Sequence, residues 1–170
     1  MLYSQRRTLE FTSAVKSTFE PIIQTHLYPR SQIDIFVQVL QQDGGLLQAS
    51  INATTLALID AGIALTDYVC GITCALHDTV PLLDLNAIEE SDLPNLTAGF
   101  LPKSGKVTLL TLETRIHLDR FEEMVRMTED AGKVVHEEML GAVIARTGRL
   151  VRSMGGGDAT GVVDKDMEDV

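Results

Sequence analysis

Three groups of residues have types and spacings suited to chemistry. The first is the turn Asp43-Gly44-Gly45, between the apolar run Ile33 to Leu40 and an alanine-rich apolar run that starts at Leu46. A glycine turn opening a helix suits an anion, because the free N–H groups of the first helical turn point at it. The second is an acid pair, Asp84 and Glu90. At a strand end two carboxylates suit Mg2+, a cation that takes oxygen ligands and keeps several waters. The third is the pair Arg6-Arg7. Planar guanidinium donors match phosphate oxygens.

Each group also has a plainer reading. Leu46 and Leu47, directly after the glycines, offer no donor and would desolvate an anion without compensation. At that position a turn before a buried helix is the preferred reading. Asp84 reads equally well as a turn acid after a strand, while Glu89 and Asp92 read as caps or solvating groups of a short helix. From the residues alone, Arg6 and Arg7 read best as a solvated helix start. Cations there are electrostatically disfavoured, which points mildly to another purpose.

Cys70 and Cys74 lie in an apolar stretch. On a strand they share a face but stand too far apart to bridge readily. Zinc takes about four ligands, and only His77 is near. They read as reduced core thiols, and no metal site is expected from them.

The elements that must position these residues follow from periodicity. Phe11, Val15 and Phe19 recur at four, extended by Ile22 and Ile23, which predicts a helix from Thr8 to about Phe19 that Pro21 kinks or ends. Ile33, Ile35, Val37 and Val39 alternate, with Phe36 and Leu40 opposite, which predicts a strand buried largely on both faces. A second helix is expected from about Leu47 to Ala61, with Gly62 closing it. CGITCAL and VPLLDL predict a hairpin across His77-Asp78-Thr79, and LTAGFL and KVTLLTLE predict another across LPKSGK. A long helix is expected from Asp119, with Asp119 as cap and Glu122 completing a capping box. Its marked face is Phe121, Val125, Thr128, Val135, Met139, Ala142 and Val143, and Gly132 and Gly141 weaken it by about 1 kcal/mol each. After Ser153 glycine and acid dominate, so residues 154–170 are expected to be an acidic, glycine-rich disordered tail beyond a domain at 1–153. The order of elements predicts an α+β fold.

The chain has 170 residues and a net charge of −10. Its length suits one domain with a real core. The charge argues against a generic nucleic-acid binder, without excluding a local basic patch. No apolar run is long enough to span a bilayer, and MLYSQRRTLEF lacks the apolar stretch of a secretory signal, so an intracellular protein without membrane attachment is expected.

The motifs PRSQID, VQVLQQDGG, INATTLALIDAGI and LLDLN occur in that order with consistent spacing. Together they resemble the RNase PH family, and more closely the RNase PH-type subunits of the eukaryotic RNA exosome core, among them the one similar to the catalytic archaeal subunit. The similarity runs from about Arg6 to Arg152. It implies an RNase PH-like domain, of the type of ribosomal protein S5 domain 2, that lacks the family's N-terminal strand-rich portion. The chain would then be a fragment or the product of an alternative or incorrect start, and is expected to be poorly soluble or dependent on a partner.

By resemblance, Arg6, Arg7, Gly44 and Gly45 are phosphate- and RNA-binding candidates, and Asp84 and Glu90 are catalytic candidates in vestigial form. Active relatives carry Ser or Thr and then Arg where this chain has Leu46 and Leu47, and a second aspartate where it has Glu90. Inorganic phosphate and Mg2+ are implied only if the chain is phosphorolytic. The resemblance also implies RNA, other RNase PH-type subunits, S1/KH cap subunits and a hydrolytic 3′-exonuclease as partners, in nucleus, nucleolus and cytoplasm.

Overall fold

The computed structural model describes residues 2–77, 80–112 and 114–154. Its first helix, α1, spans Leu2–Phe19, about two turns longer at its start than the apolar periodicity indicates. It stops two residues before Pro21, as proline requires. Val15, Phe19 and Ile22 are buried, and Phe11 packs beside them. A single-turn 3-10 helix follows at Thr25–Leu27.

The helix α2 spans Leu46–Asp60. Ala61 is its C-cap, and Gly62 follows with φ +72°. The Gly62 N–H donates to Ile59 O and the Ile63 N–H to Leu58 O, so the left-handed glycine satisfies the last carbonyls, with Ile63 and Leu58 in one apolar cluster. Gln24 N–H donates to Ala64 O and Thr66 N–H to Ile22 O. These bonds hold the segments that follow α1 and α2 together.

The four strands β1 (Cys70–His77), β2 (Val80–Leu83), β3 (Asn95–Leu101) and β4 (Lys106–Leu112) form one antiparallel sheet in the order β2-β1-β3-β4. Both hairpins form as expected, with His77 opposite Val80 in the first and Leu101 opposite Lys106 in the second. The β1–β3 pairing, with Thr73 opposite Thr97, joins them. The short helix α3 (Ala87–Asp92) lies between β2 and β3, and α4 (Leu118–Ser153) follows β4.

Strand alternation divides the core. Cys74, Leu76 and Leu96 meet Met124 of α4 on one face. On the other, Ile51 and Leu58 of α2 join Val15 and Phe19 of α1 and Leu101 of β3. The result is an α+β arrangement with α1 and α2 on one face of the sheet and α4 on the other. Cys70 and Cys74 are both buried and unbridged in β1, as core thiols.

Two expectations are corrected. Residues 33–40 are not a strand: the segment has no regular secondary structure, and Phe36 and Leu40 are 87% and 96% exposed. A strand exists only by pairing, and among the described residues none lies beside it; Ile33 alone reaches the core. The long helix is capped by His117, whose Nδ1 accepts from the Asp119 N–H at 3.5 Å. Asp119 lies inside the first turn instead, so the Asp119–Glu122 capping box does not form. The expected tail at 154–170 lies, apart from Met154, outside the described residues.

Candidate functional site

The turn before α2 is shaped by two left-handed glycines, Gly44 at φ +85° and Gly45 at φ +58°. Gly44 is pressed against the chain entering α3: a Cβ there would come within 2.3 Å of Leu85 O. Asp43 Oδ1 accepts from the Ala87 N–H at 3.5 Å, a long contact across the same seam. Gly45 is the N-cap of α2, and no side chain caps this helix start locally. Its N–H instead donates to Glu90 Oε2 at 3.1 Å. A carboxylate from α3 therefore already sits at the start of α2, where negative charge is favoured.

Glu90 is half-buried and is placed by the local build of α3. Asn86 Oδ1 accepts from the Ile88 and Glu89 N–H groups, and Glu89 Oε2 accepts from the Asn86 N–H, a full capping box. Asn95 Nδ2 donates to Glu90 O at 2.8 Å, fixing the far end of the helix to β3. Glu89 thus has a capping role, as the sequence suggests.

Asp84 directly follows β2 in a left-handed conformation, φ +58°, uncommon for a residue with a Cβ. Its N–H donates to Thr73 O at 3.2 Å. Its exposed side chain accepts from Gln48 Nε2 through Oδ1 at 2.6 Å, while Gln48 Oε1 accepts from the Thr73 N–H. Gln48, in the first turn of α2, thereby ties helix, sheet and Asp84 together. Neither Gln48 nor Asn86 stands out as a site residue by type; their spacing, three after Gly45 for Gln48 and three before Glu89 for Asn86, is the only local signal.

Gly44, Gly45, Asp84 and Glu90 are thus brought together at the start of α2, in a network of two hydrogen-bonded sets, Gly45–Glu90 and Asp84–Gln48–Thr73. Arg6 and Arg7 are exposed in the first two turns of α1, and among the described residues no hydrogen bond or ion pair joins either to that network. A shared Mg2+ would need the Asp84 and Glu90 carboxylates to converge, whereas Glu90 is turned to the Gly45 N–H and Asp84 to Gln48. Both cysteines are buried, and burial pushes their thiols up from 9.0 to about 12, helped at Cys70 by the Asp67 carboxylate, which disfavours the thiolate form. Asp67 is buried and accepts from the backbone N–H groups of Tyr68, Lys103 and Ser104, fastening the start of β1 to the β3–β4 turn.

Comparison with known proteins decides the family. Residues 3–64 match the 3′ exoribonuclease family, domain 1, and residues 67–131 match its domain 2. The chain belongs to the RNase PH family. Among its relatives are the proteins named exosome complex component ski6 of Schizosaccharomyces pombe, 46% identical over 82% of this chain and 58% of that protein, and exosome complex component RRP41 of Homo sapiens, 42% identical over 79% of this chain and 55% of that protein. This RNase PH chain therefore spans a little over half the length of those relatives. The fold is similar to the crystal structure of rice (Oryza sativa) Rrp46, with a TM-score of 0.71 over 81% of this chain and 65% of that one, at 24% identity.

Proposed function

We propose that this chain is a structural, RNA-channel-forming subunit of an exosome core ring, serving 3′-to-5′ RNA processing and degradation without phosphorolytic activity of its own. The names of its relatives support the assembly. The observation that carries the loss of chemistry is the start of α2, where Leu46 and Leu47 follow the glycines and the Gly45 N–H is taken by Glu90. Phosphoryl transfer rests on positioning and electrostatic stabilisation. Losing a key donor costs about 2.7–4 kcal/mol. Two leucines and an internal carboxylate leave little to hold phosphate.

In this reading the partners are other RNase PH-type subunits, S1/KH cap subunits, a hydrolytic 3′-exonuclease and RNA, in nucleus, nucleolus and cytoplasm. Arg6, Arg7 and Arg30, all exposed, are the first candidates to steer RNA along the channel, and Lys103 and Lys106 are weaker ones. The test is purification of the tagged chain from cells, followed by assay of the recovered complex. Recovery with RNase PH-type and S1/KH-type subunits, and no phosphate-dependent release of nucleoside diphosphates from RNA, is expected. Recovery alone or only with chaperones overturns the assembly role.

A second reading, an active phosphate-dependent 3′-exoribonuclease, has one observation in its favour: the Asp84 carboxylate is exposed and held in place by Gln48. It requires phosphate-dependent nucleoside diphosphate release that is lost on Asp84→Asn. Mg2+ and inorganic phosphate belong only to this reading.

A further inference from the structure

The last buried residue of α4 is Met139, yet the helix continues to Ser153. Residues 140–153 extend about 21 Å at 1.5 Å per residue. A helical stretch of this length is marginal on its own, and each glycine lowers it by about 1 kcal/mol. The overhang contains Gly141 and Gly148, and a Cβ on either would meet nothing within 4 Å. Packing among the described residues therefore does not account for these glycines.

The overhang is amphipathic. Leu140, Ile144 and Val151 recur at four and seven along one line, and all three are exposed. Beside that line Val143 and Leu150 face α2 and, with Leu56 and Ile59, line an open groove of 320 Å³. Away from the groove lie Arg149 and Arg152, with Arg146 at the groove itself, and between Met139 and Ser153 there is no acid, in a chain whose net charge is −10. Arg146 Nε donates to Asp60 Oδ1 at 3.1 Å on the groove wall, with both side chains about half exposed. The helix dipole favours cations in the last turn, which suits Arg152 but accounts for neither the apolar line nor the groove.

We propose that residues 140–153 of α4, with the groove against α2, dock an acidic segment of a partner protein that carries apolar side chains into the groove and onto Ile144 and Val151. Charge complementarity selects an acidic partner. The overhang has no aromatic side chain on which bases could stack, which disfavours RNA. Half of its apolar arc faces α2, out of reach of a flat lipid surface. The surface lies apart from the Gly45–Glu90 network, and the proposal stands or falls independently of the phosphate-site reading.

The test uses the full chain in cells, with a photo-crosslinking amino acid at position 144 and, separately, at 151. The expected adduct maps by mass spectrometry to an Asp/Glu-rich, apolar-bearing segment of another polypeptide. It disappears in the Arg149→Glu/Arg152→Glu variant. Loss of the same partner from the Ile144→Ser/Val151→Ser variant, with an unchanged melting curve, separates docking from misfolding. An adduct with residues 155–170 of the same chain, with RNA or with lipid, an adduct insensitive to charge reversal, or no adduct at all overturns the proposal.

Discussion

Gly44 shows how little freedom a single residue has in the candidate site. It is left-handed, and the carbonyl of Leu85 stands where a side chain would begin. Gly44→Ala is expected to lower stability by about 1–3 kcal/mol or more, measured as a shift of the denaturation midpoint, because backbone would have to move. The two buried thiols make a separate prediction about pH. In the folded chain they ionise near 12 and in the unfolded chain near 9.0, so between those values the unfolded state binds fewer protons. Their contribution to stability is therefore complete below pH 9 and falls as the pH rises toward 12. Cys70→Ala/Cys74→Ala is expected to flatten that alkaline loss in a series of melts. At pH 8 iodoacetamide should label neither thiol until the chain unfolds. The cysteines are legible from sequence because burial follows from alternation in one strand. Gln48 is not, because its role depends on Asp84 and Thr73, which reach it only in the folded chain.

Among the elements, α4 separates local preference from packing. Its glycines look alike in sequence and differ in the structure. A Cβ at Gly132 would lie 2.9 Å from Phe100 Cδ1, whereas at Gly141 it would meet nothing. Replacing glycine by alanine in a helix gains about 1 kcal/mol where there is room. Gly141→Ala is therefore expected to raise the melting temperature, and Gly132→Ala to leave it unchanged or lower it as Phe100 is displaced. A gain of equal size at both sites would contradict the packing of α4 on β3. The helix start teaches the same lesson. Asp119 and Glu122 have the spacing of a capping box, but the chain turns two residues earlier and His117 takes the cap position.

For the molecule as a whole, the decisive feature is the uncovered segment at 33–40. Ile35, Val37 and Val39 alternate as a buried strand would, and all are exposed together with Phe36 and Leu40. Adjacent exposed apolar residues of this kind mark an association surface. Phe36→Ser/Leu40→Ser is expected to reduce light scattering of the purified chain at a given concentration, with little change in its melting temperature. Unaltered scattering would contradict an association surface at this segment. The family assignment belongs at this scale as well. It rests on residues 3–64 and 67–131 jointly, while the chain covers a little over half of its curated relatives.

What the sequence determined by itself is local. Pro21 stops α1, Gly62 closes α2 and the strand runs either side of residues 78–79 and 102–105 form hairpins, because each depends on backbone preferences or periodicity within a few residues. The glycine turn before α2 is legible for the same reason. Only the tertiary structure decided that residues 33–40 pair with no strand among the described residues, because a strand needs a neighbour that no residue type supplies. It also decided the character of the site. Glu90 and Gly45 are 45 positions apart, and nothing in either residue shows that the carboxylate of one will seat on the amide of the other. That contact follows from α3 being capped by Asn86, pinned by Asn95 and pressed on Gly44, an arrangement that exists only once the sheet has brought the end of β2 to the start of α2.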